Sequence, residues 1–228
     1  MDHSTEATRA GHHVVVIDVR PATLQDLPGT YRVCLCTGDA GNDATAQFRN
    51  PDLLGHVYVG PYVVGEPLHA LVATDEDGVA GYCLAAHDTR AFAAWADSAW
   101  WPSLRAAFPR RDDATPDAAI IELFHDPPVA DAAVLDEYPA HALQQVDVEV
   151  RGVLIEHLHI DLLERVRGTG TGRLQIERQL RSLADAGVGG CHLNVAAANA
   201  NAIAFYGHLG WHVLLERSED LVMGIRLG

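Results

Sequence analysis

The feature that most constrains the fold of this chain is a glycine-rich turn between an apolar run and an amphipathic segment. The turn is Arg167-Gly168-Thr169-Gly170-Thr171-Gly172, which follows the apolar run 153–163 and precedes a helical stripe that begins at Leu174. Glycines expose successive backbone N–H groups, and the start of a helix adds about half a positive charge. The pattern therefore predicts a strand, an anion-binding turn and a helix, in that order.

Two other phosphate-binding classes fit this turn poorly. A Rossmann fingerprint needs an early strand and, about 20 residues after the glycines, an acidic residue that ends a second strand. Here the turn lies late in the chain, and the predicted strand 191–195 offers no acidic residue. A P-loop needs a lysine, and the chain has none, because all 16 basic residues are arginine.

Composition limits the class of protein further. With 228 residues and 48% hydrophobic residues, the chain can bury one continuous core without disulfides or metals. Its 31 acidic residues give a formal net charge of −15, which argues against a nucleic-acid partner, since affinity for nucleic acid comes mainly from arginine and lysine on phosphates.

Cysteine usage and the N-terminus predict the compartment. Cys34, Cys36, Cys83 and Cys191 lie in apolar runs without CxxC spacing, so we interpret them as reduced, buried thiols. No stretch resembles a signal peptide or a membrane span, which predicts a cytoplasmic protein with no membrane partner. Residues 1–12 are polar and aperiodic, and we expect a disordered tail followed by one domain over residues 13–228.

The hydrophobic periodicity along the chain predicts a mixed α/β fold whose sheet need not be wholly parallel. Strands are expected at 14–19, ended by Arg20-Pro21-Ala22, and at 69–74 and 79–86, which form a hairpin around Asp77-Gly78. Further strands are expected at 146–151, 153–163, 191–195, 211–215 and 221–225. Helices are expected at 23–36, 44–49, 88–108 with a break near Pro102, 118–124, 174–187 and 202–209. Residues 88–152 form an elaboration of the core.

Two motifs carry a resemblance to a known family. The turn 167–172 resembles the R-x-x-G-x-G pyrophosphate loop of the GNAT superfamily of N-acetyltransferases, which bind acetyl-CoA. Residues 199–206, Asn-Ala-Asn-Ala-Ile-Ala-Phe-Tyr, followed by Gly210-Trp211, resemble the helix N-x-x-A-I-x-F-Y-x-x-x-G-[FW] of the same superfamily. The two motifs stand in the family's order and spacing.

A closer resemblance covers most of the chain. Residues 37–45, 58–62 and 157–163 are similar to the acetyltransferase-like domain at the C-terminus of O-GlcNAcase and to its stand-alone bacterial relatives. The chain departs from this resemblance at one place. Residues 138–141 would be expected to lead almost directly into His157-Leu158-His159 of the predicted strand 153–163. Here residues 142–156 intervene.

The resemblance implies a GNAT-type, mostly antiparallel central sheet flanked by helices, with acetyl-CoA bound as co-substrate at a splayed pair of strands. It implies an oxyanion donor among the backbone N–H groups of Asp161, Leu162 and Leu163. The cofactor-binding set it implies is the end of this strand, the turn and the second motif, namely Leu162, Leu163, Arg167, Gly168, Thr169, Gly170, Thr171, Gly172, Asn199, Phe205 and Tyr206. Tyr206 matches the family tyrosine that protonates the departing thiolate, and an alternative is a half-buried aromatic that only packs.

The general base is less well determined. His157, His159 and Asp161 alternate along the predicted strand and share one face, and a neutral histidine suits proton abstraction at neutral pH. The alternatives are imidazoles in a hydrogen-bonded polar layer and a His-x-His metal site with Asp161. Direct acetyl transfer needs no metal, so no metal is predicted.

The resemblance implies that the acceptor binds around Asp39, Asp43 and Tyr62. The two carboxylates suit a cationic amine, although aspartates also stabilise turns by binding local N–H groups. The predicted partner is a small-molecule or protein amine, and the oligomeric state stays open, a homodimer included. The predicted function is direct, acetyl-CoA-dependent N-acetyl transfer in a ternary complex. The alternative is an inactive acetyl-CoA-binding module that serves as a sensor or interaction module.

Overall fold

A computed structural model describes residues 17–39, 41–142 and 161–228. Its strands are β1 Asp18–Pro21, β2 Ala70–Asp75, β3 Gly78–Ala86, β4 Ala140–Ala142, β5 Asp161–Leu162, β6 Gly190–Ala196, β7 His212–Glu216 and β8 Asp220–Arg226. Its α-helices are α1 Leu27–Thr37, α2 Leu53–Tyr58, α3 Gly60–Gly65, α4 Thr89–Trp95, α5 Trp101–Ala107, α6 Pro116–His125, α7 Ala132–Glu137, α8 Thr171–Asp185 and α9 Ala200–His208.

The strands form one mixed sheet in the order β1-β2-β3-β4-β6-β8-β7, with β5 paired to β3 beside this path. All pairs are antiparallel except β4 with β6, which run parallel. This arrangement confirms the mixed, mostly antiparallel sheet flanked by helices that the sequence predicts.

Strands β4 and β5 occupy the same edge of β3. Ala85 of β3 pairs with Ala142, whereas Tyr82, only three residues earlier, pairs with Asp161. If one unbroken strand made both pairings, the partners of Ala85 and Tyr82 would be three residues apart in the chain. Their partners, Ala142 and Asp161, are 19 residues apart. The pairings of β4 and β5 with β3 therefore differ in register by 16 residues, which is consistent with the departure seen in the sequence after His141.

Buried apolar residues form two clusters on this sheet. The larger one packs α1, α2, α3 and α6 against β2 and β3, and includes Tyr82 and Phe124, both fully buried. The smaller one packs α8 and α9 against β6 and β8, and includes Leu183 and Trp211. Within the described residues, no helix combines the length and the apolar character needed to cross a membrane.

Several expectations need correction. The first strand continues through Arg20 and Pro21, because β1 is an edge strand and its outer N–H positions need no partner. Residues 44–49 form turns instead of a helix, since the Asp43 carboxylate accepts hydrogen bonds from the N–H and the hydroxyl of Thr45. The helices in this region are α2 and α3.

The predicted break near Pro102 is confirmed, because the π-helical segment Ala96–Trp100 separates α4 from α5 just before this residue. Pro102 itself lies in the first turn of α5, where no N–H is needed. The helix α7 was not expected from the sequence. The hairpin β2–β3, the helices α6, α8 and α9 and the strands β6, β7 and β8 confirm the predicted elements to within a few residues. The expected strand 146–151 and most of the strand 153–163 lie outside the described residues.

Candidate functional site

The sheet opens between β5 and β6. Strand β6 pairs with β4 at Cys191 and His192, and β5 pairs with β3 at Gly81 and Tyr82. Within residues 17–39, 41–142 and 161–228, no pairing joins β5 to β6 beyond this point. The hydrogen-bonded ladder of the sheet is therefore interrupted between β5 and β6, and this interruption is the opening of the sheet.

The backbone of Leu162 faces this opening. Leu163 donates its N–H to the carbonyl oxygen of Ala80 in β3 at 2.8 Å. Because neighbouring residues of an antiparallel strand point their backbone groups to opposite sides, the N–H and C=O of Leu162 point away from β3. Of the expected oxyanion donors, the N–H of Leu163 is therefore engaged within the sheet, and the N–H of Leu162 is directed to the opening.

The glycine-rich turn has the conformation that its sequence predicts. Gly168 and Gly170 have φ values of +74° and +86°, and both lie in the left-handed region that favours glycine. The first hydrogen bond of α8 runs from the N–H of Leu174 to the carbonyl oxygen of Gly170 at 3.0 Å. The N–H groups of Thr171, Gly172 and Arg173 therefore have no acceptor within the helix. Such groups at a helix start can bind an anion.

Arg167 joins this turn to two other segments. Its Nε donates to the carbonyl oxygen of Leu162 at 2.9 Å, and its Nη2 donates to the carbonyl oxygen of Gly41 at 2.6 Å. The loop that carries Asp39 and Asp43 is therefore held beside the turn and the end of β5. The structure brings these predicted residues together.

The neighbouring Arg165 anchors the same segment to the hairpin. Its guanidinium pairs with the buried carboxylate of Asp75 at 2.6 Å, and this contact holds the pKa of Asp75 below its usual range. Neither residue was singled out from the sequence, because 90 residues separate them and no local pattern connects them.

The second motif forms α9. Asn199 caps this helix, and its Oδ1 accepts a hydrogen bond from the N–H of Ala202 at 2.9 Å. Tyr206 is 3% exposed and packs edge-on against Trp211, whereas the neighbouring Phe205 is 37% exposed. Tyr206 belongs to the smaller apolar cluster, together with Leu193 and Val195 of β6.

The residues predicted to bind the acceptor do not all lie at one place. Asp39 and Asp43 are exposed, and the bonds from Thr45 lower the pKa of Asp43, so this carboxylate also stabilises its own turn. Tyr62 is buried in α3 and packs against Phe92 with ring centroids 4.5 Å apart. It lines an apolar cavity of about 220 Å³ together with Pro61, Trp101 and His141.

The predicted bases can be located only in part. His157 and His159 lie outside the described residues, and the structure describes the backbone of Asp161 in β5 and not its side chain.

Comparison with known proteins identifies the family. No family model matches the chain. Among solved structures, the O-GlcNAcase-like acetyltransferase homologue SsHAT is 31% identical over 93% of this chain and 98% of its own, with a TM-score of 0.79. The PaiA N-acetyltransferase from Thermoplasma acidophilum, solved in complex with coenzyme A, is 11% identical over 92% of this chain and 99% of its own, with a TM-score of 0.50.

The fold, the opening between β5 and β6 and the likeness to SsHAT agree, and the chain belongs to the GNAT superfamily of acetyltransferases. Within it, the likeness to SsHAT confirms the closer resemblance to the O-GlcNAcase type that the sequence predicts.

Proposed function

We propose that this protein is an acetyl-CoA-dependent N-acetyltransferase that transfers the acetyl group directly to an amine. The observation that carries the proposal is the proximity of two sets of N–H donors at one end of the open sheet. The N–H groups that begin α8 suit a pyrophosphate, and the N–H of Leu162 suits the carbonyl oxygen of a thioester in the opening. Arg167 bridges the two sets.

The residues have complementary roles in this proposal. The turn 168–172 and Arg167 bind the diphosphate, and Asn199 and Phe205 flank the pantetheine arm. Leu162 stabilises the negative charge that develops on the carbonyl oxygen when the amine attacks the carbonyl carbon. His157, His159 or Asp161 takes the proton that the attacking nitrogen loses, and Tyr206 gives a proton to the sulfur as the C–S bond breaks.

Three of the four cysteines support direct transfer over a covalent acetyl-cysteine. Cys34, Cys83 and Cys191 are buried as predicted, whereas Cys36 is only half-buried. Burial raises the pKa of the Cys83 thiol to about 12 and also raises the pKa of Cys191. A thiol with such a pKa is almost entirely protonated at neutral pH and is a poor nucleophile.

The acceptor that we propose is a cationic amine, either a small molecule or a side chain of a protein. Asp39 and Asp43 lie on the loop that Arg167 holds beside the turn, and the chain carries a formal net charge of −15. Opposite charge raises the rate at which an acceptor meets the site. We propose a single acetyltransferase domain over residues 13–228 and a cytoplasmic location.

A second candidate is an acetyl-CoA-binding module without catalysis. The burial of Tyr206 against Trp211 favours it, because a tyrosine in this position can act in packing alone. Both candidates require the same anion-binding turn, so binding of acetyl-CoA by itself does not separate them.

The experiment that separates them combines calorimetry with a screen of amines. Acetyl-CoA is titrated into the protein, and a library of small amines, aminoglycosides, amino sugars and lysine peptides is assayed for CoA release. The proposal predicts micromolar binding and turnover with at least one class of amine. Binding without turnover across the library favours the module, and no binding contradicts both candidates.

A further inference from the structure

A second cluster of reactive side chains lies away from the opening of the sheet. Among the residues that the structure describes, Glu66, His69 and His87 offer ligand atoms that all lie within 4.8 Å of one another. Glu66 follows α3, His69 ends the 3-10 turn Pro67–His69, and His87 follows β3. His87 comes five positions after Tyr82, so the cluster lies about 17 Å along the direction of β3 from the pairing with β5.

The hairpin explains why the two histidines meet. His69 precedes β2 and His87 follows β3, and an antiparallel pair brings these two positions to its open end. Their ring centroids are 5.6 Å apart. The turn after α3 then adds the carboxylate of Glu66, which contacts Nδ1 of His87 at 2.8 Å.

The hydrogen bonds around His69 leave one of its ring nitrogens unprotonated and able to bind a metal ion. The hydroxyl of Ser182 donates to the carbonyl oxygen of Leu68 at 3.3 Å, so its oxygen is left to accept from Nδ1–H of His69 at 3.0 Å. This assignment leaves Nε2 as the unprotonated nitrogen of the neutral ring.

Two of the three side chains, Glu66 and His69, are buried, and the third, His87, is exposed. Glu66 and His69 are 7% and 6% exposed, whereas the side chain of His87 is 49% exposed. A buried carboxylate requires a positive charge nearby, and a divalent cation supplies it. The exposed His87 leaves a path by which a cation enters and a water molecule completes the coordination.

We propose that Glu66, His69 and His87 bind a borderline divalent cation such as Zn²⁺, with water as the fourth ligand. Two imidazoles and one carboxylate form a ligand set that zinc commonly accepts, and the hydroxyl of Ser182 accepts from Nδ1–H of His69 and so fixes the orientation of this ring. The cation binds Nδ1 of His87 beside the carboxylate of Glu66, and the single proton of the neutral His87 ring then sits on Nε2. The site ties α3, the hairpin and α8 together.

The test titrates Zn²⁺, and separately Co²⁺, into protein that has been treated with a chelator. The chain has 13 histidines, so the result lies in the comparison of variants. Replacing the exposed ligand by His87→Ala, or the carboxylate by Glu66→Gln, should weaken the tightest binding event at least tenfold and remove the Co²⁺ absorption of a four-coordinate site. The control His208→Ala removes an exposed histidine on α9. It should change neither the affinity of the tightest binding event nor the Co²⁺ absorption.

Thermal unfolding gives a readout that does not depend on activity. Zn²⁺ should raise the melting temperature of the unmodified protein and of His208→Ala, and should have no such effect on His87→Ala. If His87→Ala binds the metal as tightly as the unmodified protein, or if neither binds it saturably, the proposal is wrong. His87 is chosen because its exposure allows the alanine variant to fold.

Discussion

Arg167 and Gly41 are 126 residues apart in the chain, and Nη2 of Arg167 donates a 2.6 Å hydrogen bond to the carbonyl oxygen of Gly41. The same guanidinium holds the carbonyl oxygen of Leu162. One side chain of the glycine-rich turn therefore connects the strand that faces the opening with the loop of Asp39 and Asp43. This contact makes the proposed cofactor turn and the proposed acceptor loop parts of one site.

Replacing Arg167 by alanine should release the loop around Gly41. We expect faster hydrogen exchange in the peptide that contains Gly41, measured by mass spectrometry, because the loop loses its long-range bond. The control Arg173→Ala removes an exposed arginine whose partner, Glu177, lies on the same helix, and exchange near Gly41 should not change. Equal exchange in both variants would show that Arg167 does not hold the loop.

Gly170 and Gly187 form a matched pair at the two ends of α8. Both have positive φ, +86° and +80°, and a Cβ at either would meet no atom within 4 Å. Replacing either by leucine should cost about 1–2 kcal/mol of folding free energy, because the left-handed conformation is strained for other residues.

Only Gly170→Leu should weaken the binding of acetyl-CoA, by at least tenfold or about 1.4 kcal/mol, because its side chain fills the space that the diphosphate needs. Calorimetry on both folded variants measures this difference. The same affinity in Gly170→Leu and Gly187→Leu would remove the turn from the binding site.

Tyr206→Phe tests whether the hydroxyl of Tyr206 protonates the departing thiolate. We expect turnover to fall about 100-fold with little change in the affinity for acetyl-CoA, because the hydroxyl matters only as charge develops on sulfur. Tyr31→Phe serves as control, since Tyr31 packs against the larger apolar cluster and its hydroxyl contacts Nδ1 of His56. Normal turnover of Tyr206→Phe with the best amine would assign Tyr206 to packing.

The pair Asp75–Arg165 predicts how stability depends on pH. The folded pKa of Asp75 is lowered, mainly by the hydrogen bond from Arg165, so its contribution is fully present above the unfolded pKa of about 3.9 and is lost as the pH falls through the folded pKa. Asp75→Asn should therefore be less stable than the unmodified protein at pH 7, and the difference should shrink below about pH 4.

Denaturant unfolding between pH 7 and pH 3 measures this dependence. Asp77→Asn is the control, because Asp77 lies 4.0 Å from Arg165 and its side chain is 73% exposed. A constant difference between Asp75→Asn and the unmodified protein across this range would contradict the ion pair.

The absence of lysine predicts how the protein behaves with acetyl-CoA alone. Arginine stays protonated and cannot act as a nucleophile, so the α-amino group is the only ordinary amine. Incubation of the untagged protein with acetyl-CoA should add at most one acetyl group, measured as intact mass. Two or more additions that resist hydroxylamine would contradict this expectation, and one labile addition would indicate a cysteine thioester.

The sequence by itself determined the elements whose hydrogen bonds are local. Gly168 and Gly170 lie where a turn needs positive φ, and Gly187, also at positive φ, follows the last turn of α8, so this helix could be placed without the structure. The hairpin followed from Asp77-Gly78 between two apolar runs. Residues 44–49 were predicted wrongly because Asp43 satisfies the N–H of Thr45 and favours a turn over a helix.

Only the tertiary structure decided which distant groups meet. Arg167 reaches Gly41, Arg165 reaches Asp75, and Glu66 joins His69 and His87 because packed helices and strands bring these segments together. Likewise, the choice of Leu162 over Leu163 as the N–H that faces the opening depends on the register with β3, and a one-residue shift would reverse it. Local patterns encode φ, ψ and caps over a few residues, whereas register and long-range contacts are set by how the whole core packs.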